Sequence, residues 1–408
     1  MIVKRRTFLG AAAGAGVSTM LAAGPGEAGA APEYEKPLFD LHKFSKSPVK
    51  IKSIELLRNG NSYFVRSTST EGAMGIARTK QVEDFVAILL RRVAPFFIGK
   101  DVRDLETLMD GVYVQNYKLA GQAFWSPAAF VEQSLFDLYG KVVKKPVGEL
   151  MGGAIRREIP VYLSGSGRET TAEQEVEVYR HGLEATGAKA VKFKIGGRMS
   201  RNADAYPGRT ETMMKLARKT LGDKTILYTD ANGSYDSKKA VEIGRMLEDL
   251  NCGFFEEPCP WEELGETRKV AEALTMPVAC GEQDASLWRF QWMMENGVMD
   301  IVQPDLNYNG GFIRAARVAR MARKFNMKIV PHNTQTGAAA VNILQFASAI
   351  PNIGAHMEFP WREKHVNEPW FSPHFIVKNG AVEVPKGPGL GIEIDPKFLA
   401  AARKVEAG

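Results

Sequence analysis

Asp230, Glu256, Glu282, Asp305 and His332 follow one another at steps of 26, 26, 23 and 27 residues, and each closes a short apolar run. A step of that length holds about one strand and one helix with their loops. Acidic groups at the C-terminal ends of successive parallel strands form one ring of side chains at the mouth of a barrel. Asp230, Glu256 and Glu282 would then share a small volume, where bare carboxylates raise one another's pKa values. A divalent cation removes the repulsion. Three oxygen ligands, with room for water and substrate, suit Mg²⁺ or Mn²⁺ better than zinc. Glu257 adjoins Glu256, but strand alternation turns the two to opposite faces without saying which faces the axis.

Proton carriers stand on either side of this set. Lys192-Phe193-Lys194 ends the second strand of the repeating pattern. Its lysines are two apart and point one way. Beside a cation and its twin, such a lysine has its pKa lowered and becomes a base near neutral pH. Asp305 and His332 end the sixth and seventh strands, where the carboxylate can fix the imidazole tautomer and support its charged form. Glu358, ending the eighth, is placed to hydrogen-bond a substrate oxygen. Arg168, Asn232, Asn307 and Asn333 crowd the same mouth and read as substrate-binding side chains for a polyhydroxylated ligand.

The elements that must position these groups are legible as a rhythm. From residue 159 onward, apolar strand, loop and amphipathic helix recur. The strands are expected at 160–164, 190–195, 225–230, 253–256, 277–282, 300–304, 328–332 and 353–358. Eight such units point to a closed parallel barrel. An open doubly wound sheet is the alternative, but no Gly-x-Gly-x-x-Gly turn follows an early strand. Ahead of the barrel, residues 51–79 alternate around Asn59-Gly60-Asn61 and Glu71-Gly72, as a meander does. The helical pattern of 81–150 completes an α+β domain. The expected organisation is a leader (1–30), an arm (31–50), an α+β capping domain (51–158), a barrel (159–370) and a segment returning to the cap (371–408).

Bulk properties narrow the class. The chain has 408 residues, 45% hydrophobic and 25% charged, ordinary for a globular protein. Its net charge is +6, of which Lys4, Arg5 and Arg6 against Glu27 contribute +2, leaving +4 for the rest. No long basic run exists, so nucleic acid is not expected as a partner. Lys4-Arg5-Arg6-Thr7-Phe8-Leu9 precedes a small, apolar, Gly-rich stretch and Ala28-Gly29-Ala30. That pattern resembles a twin-arginine export signal and predicts periplasmic localisation with no stable membrane span after processing. Cys252, Cys259 and Cys280 make neither a disulfide framework nor a zinc site, and Cys280 reads as core packing.

The ordered set resembles the enolase superfamily, and within it the mandelate racemase subgroup. The matching pieces are Lys-x-Lys (192–194), Asp-Ala-Asn-Gly (230–233), Glu-Glu-Pro (256–258), Gly-Glu (281–282), Gln-Pro-Asp (303–305) and His332. Ser134–Lys141 through Gly153 is similar to the family's cap-to-barrel link, and Pro388–Gly391 to its tail. The resemblance implies a capping domain over a (β/α)7β barrel, with Mg²⁺ on Asp230, Glu256 and Glu282. It implies Lys194 as the base on one substrate face and His332, oriented by Asp305, as the acid or base on the other. Lys192 and the cation would stabilise the charge growing on a substrate carboxylate, and Glu358 would hydrogen-bond that carboxylate. A homo-oligomer is also implied. The expected reaction is removal of the proton next to a carboxylate, followed by loss of a β-hydroxyl from a sugar acid to give a 2-keto-3-deoxy acid. Racemisation, epimerisation and cycloisomerisation are the alternatives, and a non-catalytic exported solute-binding protein is the reading from another class. The loop 196–208, with Arg198 and Arg201, is free to close over a substrate or to remain solvated.

Overall fold

The computed structural model describes residues 32–165, 167–361 and 368–407. The twin-arginine leader lies outside the described residues. Three strands, β1 (Ile51–Asn59), β2 (Ser62–Ser69) and β3 (Met74–Arg78), form an antiparallel meander. Their alternating side chains bury one face against the helix Gln122–Val143, whose residues Phe124 to Gly140 are buried. Gly75 allows the closest approach, since a Cβ there would lie 2.1 Å from the Ser134 carbonyl oxygen. The arm holds short 3-10 turns at Glu33–Glu35 and Leu41–Phe44.

The second sheet is parallel. Its strands are β4 (Glu158–Ser164), β5 (Ala190–Lys194), β6 (Ile226–Asp230), β7 (Phe254–Glu256), β8 (Val278–Cys280), β9 (Ile301–Val302), β10 (Lys328–Ile329) and β11 (Met357–Pro360). Neighbours pair in sequence order from β4 to β10, and β11 joins β4 on the other side. A parallel bridge between Ile329 and Ile353 links the two ends. Apart from the charged residues near their C-terminal ends, the strands are largely apolar, because helices cover the outside while side chains fill the inside. Intervening helices include Ala172–Thr186, opened by a Thr171–Gln174 capping box, and Ser237–Asp249, opened by Asp236.

Several strands are shorter than their apolar runs predict. β8 stops at Cys280, and Gly281 turns away at a φ of 121°. Glu282 therefore stands just past its strand. β10 ends at Ile329, so His332 lies in the following loop. Ile353 contributes only its bridge, and β11 begins at Met357.

Two further segments tie the domains together. After the short pair β12 (Phe371–Ser372) and β14 (Glu393–Ile394), the tail returns to the cap as β15 (Arg403–Lys404), antiparallel to β1. Between them, β13 (Ala381–Glu383) pairs with β4. Cap and barrel are also joined by side chains. Buried Glu132 accepts from the Phe312 and Ile313 backbone N–H groups, capping the helix Phe312–Lys324. Arg317 of that helix donates to Glu106 and Asp110 of the cap helix Leu105–Gln115. Among the described residues no helix is long and apolar enough to cross a membrane.

Candidate active site and metal centre

Register builds the centre of the site. Lys194 pairs with Asp230 across β5–β6, and Asp230 with Glu256 across β6–β7, so three charged residues form one row. Glu282, from the loop after β8, completes the acidic set. One oxygen from each of Asp230, Glu256 and Glu282 lies within 4.8 Å of the others, a group that could hold a metal ion. All three are buried.

The lysines answer part of this charge. Lys194 Nζ donates to Asp230 Oδ2. Lys192 Nζ donates to both oxygens of Glu256 at 2.8 Å and lies 2.9 Å from Glu358 Oε1. Gln303 Nε2 donates to Glu256 Oε2 at 2.9 Å. Burial opposes ionisation of Asp230, but Lys194 and Lys192 outweigh it and hold the carboxyl well below the usual range. At Glu256 burial prevails over Lys192, with Asp230 and Glu358 adding to it, and the pKa is pushed up to about 8. Burial and Lys192 lower the pKa of Lys194, but Asp230, Glu256 and Glu282 together raise it overall.

A second cluster faces the first. His332 Nδ1 lies 2.8 Å from Asp305 Oδ2, and Nε2 lies 3.2 Å from Glu282 Oε2 without the alignment of a hydrogen bond. Burial disfavours the imidazolium, but Glu282 and Asp305 raise its pKa overall. Asp305 Oδ1 accepts from the Asn307 and Tyr308 backbone N–H groups, so its own loop holds it. Lys194, Glu282, His332 and Glu358 line one cavity of about 500 Å³.

The metal fit can be judged on charge and on an orphaned atom. Asp230, Glu256, Glu257, Glu282, Asp305 and Glu358 gather around Lys80, Lys192, Lys194 and His332, six carboxyl groups against four basic ones. Glu282 Oε2 is buried without a hydrogen-bond partner. An excess of buried acid with a free oxygen suits a hard divalent cation.

The structure gives other predicted residues different work. Asn232 does line the cavity, at a φ of 42°, with Nδ2 donating to Asp230 and Glu257. Arg168 instead donates to the backbone carbonyls of Gly196, Ile195 and Asp230. Asn307 Oδ1 accepts from Gln133 of the cap. Asn333 donates through its backbone to Glu358 Oε2 and through Nδ2 to the Glu358 carbonyl. All three fasten loops, and Arg168 Nη1 remains buried without a hydrogen-bond partner. A polar side chain at a strand end can fasten a loop or face a ligand, and sequence does not separate the two. Lys192 is fully buried and held by Glu256 and Glu358, so its ammonium sits behind the cavity lining. The loop 196–208 supplies Arg198 and Met199 to the cavity wall. Arg209, at its far end, is fully buried on the Lys194, Thr170 and Gly167 carbonyls.

Sequence reasoning missed two participants, Tyr308 and Lys80, and left the facing of Glu257 open. Glu257 also reaches the cavity, because its φ of 40° ends the strand alternation. Tyr308 stacks on His332 with ring centroids 6.5 Å apart. Lys80, just beyond β3, places Nζ 3.0 Å from Asp305 Oδ2. Nothing in the cap's alternating pattern marks Lys80 as chemical. Gln303 carried a signal, since it stands two residues from Asp305 in Gln-Pro-Asp.

Comparison with known proteins agrees with this geometry. Residues 174–398 match the family described as enolase C-terminal domain-like. The arabinonate dehydratase of Saccharolobus solfataricus is 28% identical over 322 residues, covering 76% of this chain and 82% of that protein. The D-galactarolactone cycloisomerase of Agrobacterium fabrum is 28% identical, covering 78% and 84%. A mandelate racemase/muconate lactonizing protein from Paracoccus denitrificans, solved in complex with magnesium, superposes with a TM-score of 0.82 at 29% identity, covering 88% of this chain and all of that one.

Proposed function

Because the chain belongs to the enolase C-terminal domain-like family, we propose that it is a hydro-lyase that dehydrates a sugar acid to a 2-keto-3-deoxy acid. The observation that carries this reading is the placement of Lys194, His332 and Glu282 on one cavity, with Asp305 bonded to the imidazole and Asp230 and Glu256 grouped with Glu282. Relatives named as arabinonate, D-gluconate, D-xylonate and D-galactonate dehydratases support it. The D-galactarolactone cycloisomerase keeps cycloisomerisation as the second reading.

Asp230, Glu256 and Glu282 would hold Mg²⁺, with Mn²⁺ as a substitute. A cation bound there supplies electrostatic stabilisation to a substrate carboxylate as negative charge builds on it. The rest is the work of side chains. Lys194 Nζ, once deprotonated, takes the proton next to the carboxylate. His332 Nε2 gives its proton to the β-hydroxyl, the carbon–oxygen bond breaks, and water leaves. The resulting enol becomes the 2-keto acid by losing its hydroxyl proton and taking one at the β-carbon. Asp305 holds the Nδ1 side of the ring, so Nε2 stays aimed at the substrate. Lys192 spans Glu256 and Glu358 and fixes both.

We also propose export to the periplasm through the leader at Arg5-Arg6, and assembly as a homo-oligomer. A panel of acid sugars with Mg²⁺, read for 2-keto acid and for deuterium uptake next to the carboxylate in D₂O, tests the chemistry. The wild type should form keto acid, and Lys194→Ala should abolish both readouts. Exchange and inversion without keto acid would make the protein a racemase or epimerase. Tight binding with neither readout would leave a solute-binding protein.

A further inference from the structure

Lys80 has no role in the chemistry above, yet from the cap it lines the same cavity and reaches Asp305. Its side chain is only 9% exposed. Nζ lies 3.0 Å from Asp305 Oδ2, the same oxygen that His332 Nδ1 contacts at 2.8 Å. The ammonium also lies 4.0 Å from the centroid of the Tyr308 ring, whose other neighbour is the His332 imidazole. Gln81 accepts from the Tyr308 hydroxyl at 3.3 Å while held at a φ of 48°, a left-handed conformation rare for such a side chain. Two residues earlier, Arg78 pairs with Glu368 at 2.6 Å and donates to the Thr336 carbonyl. The end of β3 is therefore pinned to the barrel on both sides of Lys80.

Stability alone is a poor reason for this arrangement. Burying an ammonium against a carboxylate gains little net free energy, because desolvation offsets the attraction. The cap already has the Arg78–Glu368 and Arg317–Glu106 pairs to hold it. What Lys80 adds is control of one oxygen. By sharing Asp305 Oδ2 and packing on Tyr308, it restricts the two groups that set the plane and tilt of the His332 ring. The Lys194–Asp230 side is different, since both of its residues come from adjacent barrel strands and register alone sets them.

We propose that Lys80 is a positioning residue of the cap that fixes the His332 imidazole through Asp305 and Tyr308, so that proton delivery to the leaving group depends on cap docking while proton removal by Lys194 does not. This rests on the dehydration reading. The test compares Lys80→Met, Lys80→Arg and His332→Asn in the same acid-sugar assay, with keto-acid formation and deuterium exchange measured side by side. Lys80→Met should lower kcat for keto acid on the order of 10²-fold, with KM little changed and exchange retained. Lys80→Arg should restore a large part of the rate.

An unchanged kcat in Lys80→Met, or equal loss of product and exchange, would overturn the inference. If His332→Asn abolishes product while Lys80→Met does not, the inference alone fails. If His332→Asn leaves product formation intact, His332 is not the proton donor and the inference falls with it; if the wild type itself forms no keto acid, the dehydration reading has failed first. A crystal structure of Lys80→Met in which the Asp305–His332 contact and the Tyr308 stacking persist unaltered overturns the inference whether or not any sugar is turned over.

Discussion

At the scale of single residues, the acidic triad was readable because chain geometry leaves little choice. A strand up and a helix back consume a near-fixed length, so groups spaced by that length meet at one end of the barrel. Lys80 was not readable, because 225 residues separate it from Asp305 and the cap's packing alone brings them together. Arg168, Asn307 and Asn333 make hydrogen bonds to neighbouring loops and the cap, contacts that the sequence does not separate from ligand binding. Gln303 offers a test of how far support for the triad extends. Its amide holds Glu256 Oε2, and groups that orient a metal ligand typically change affinity by about 10–100-fold when removed. Gln303→Leu should therefore weaken Mg²⁺ binding by roughly that factor in a calorimetric titration, with secondary structure unchanged. Affinity equal to wild type would mean that Lys192 alone suffices to aim Glu256.

At the scale of elements, order and type were legible, and boundaries were not. Apolar runs marked the strands, but β8, β9 and β10 stop early. Gly281 turns the chain after β8, while Pro304 and Pro331, which lack an N–H group, lie just beyond β9 and β10. Those early stops matter, because they leave Glu282, Asp305 and His332 on loop backbone that can turn toward one another. The cap shows a different constraint. β3 crosses the helix Gln122–Val143 at Gly75, where an added Cβ would lie 2.1 Å from the Ser134 carbonyl and 2.3 Å from the Leu138 nitrogen. Both are backbone atoms and cannot rotate aside. Gly75→Ala should destabilise by about 1–3 kcal/mol or more. A lower guanidinium midpoint would register it, and because β3 leads directly to Lys80, keto-acid formation should fall further than stability. An unshifted midpoint would show that the strand can slide.

At the scale of the whole molecule, two domains were legible as a change of rhythm near residue 159, and their docking was not. The docking depends on pairs such as Arg317 with Glu106 and Asp110, which no periodicity reveals. Arg317 is 1% exposed, and Glu106 also accepts from the Leu38 and Phe39 backbone N–H groups of the arm. Arm, cap and barrel thus meet at one guanidinium. Arg317→Met leaves Glu106 buried without its cation and should cost about 3–5 kcal/mol. Chemical unfolding should show that loss, and a single transition should split if cap and barrel separate. Retention of one transition at wild-type midpoint would mean the arm's backbone satisfies Glu106 unaided.

The returning strands have a consequence for how this molecule comes into being. Residues 381–383 lie along the first barrel strand, and residues 403–404 along the first cap strand. A ribosome emits both early strands hundreds of residues before either late partner exists. Each domain must wait, one edge open, for the same late stretch of polypeptide. Trimming that stretch would unfasten cap and barrel together, so damage there should register as loss of the whole enzyme rather than of one half.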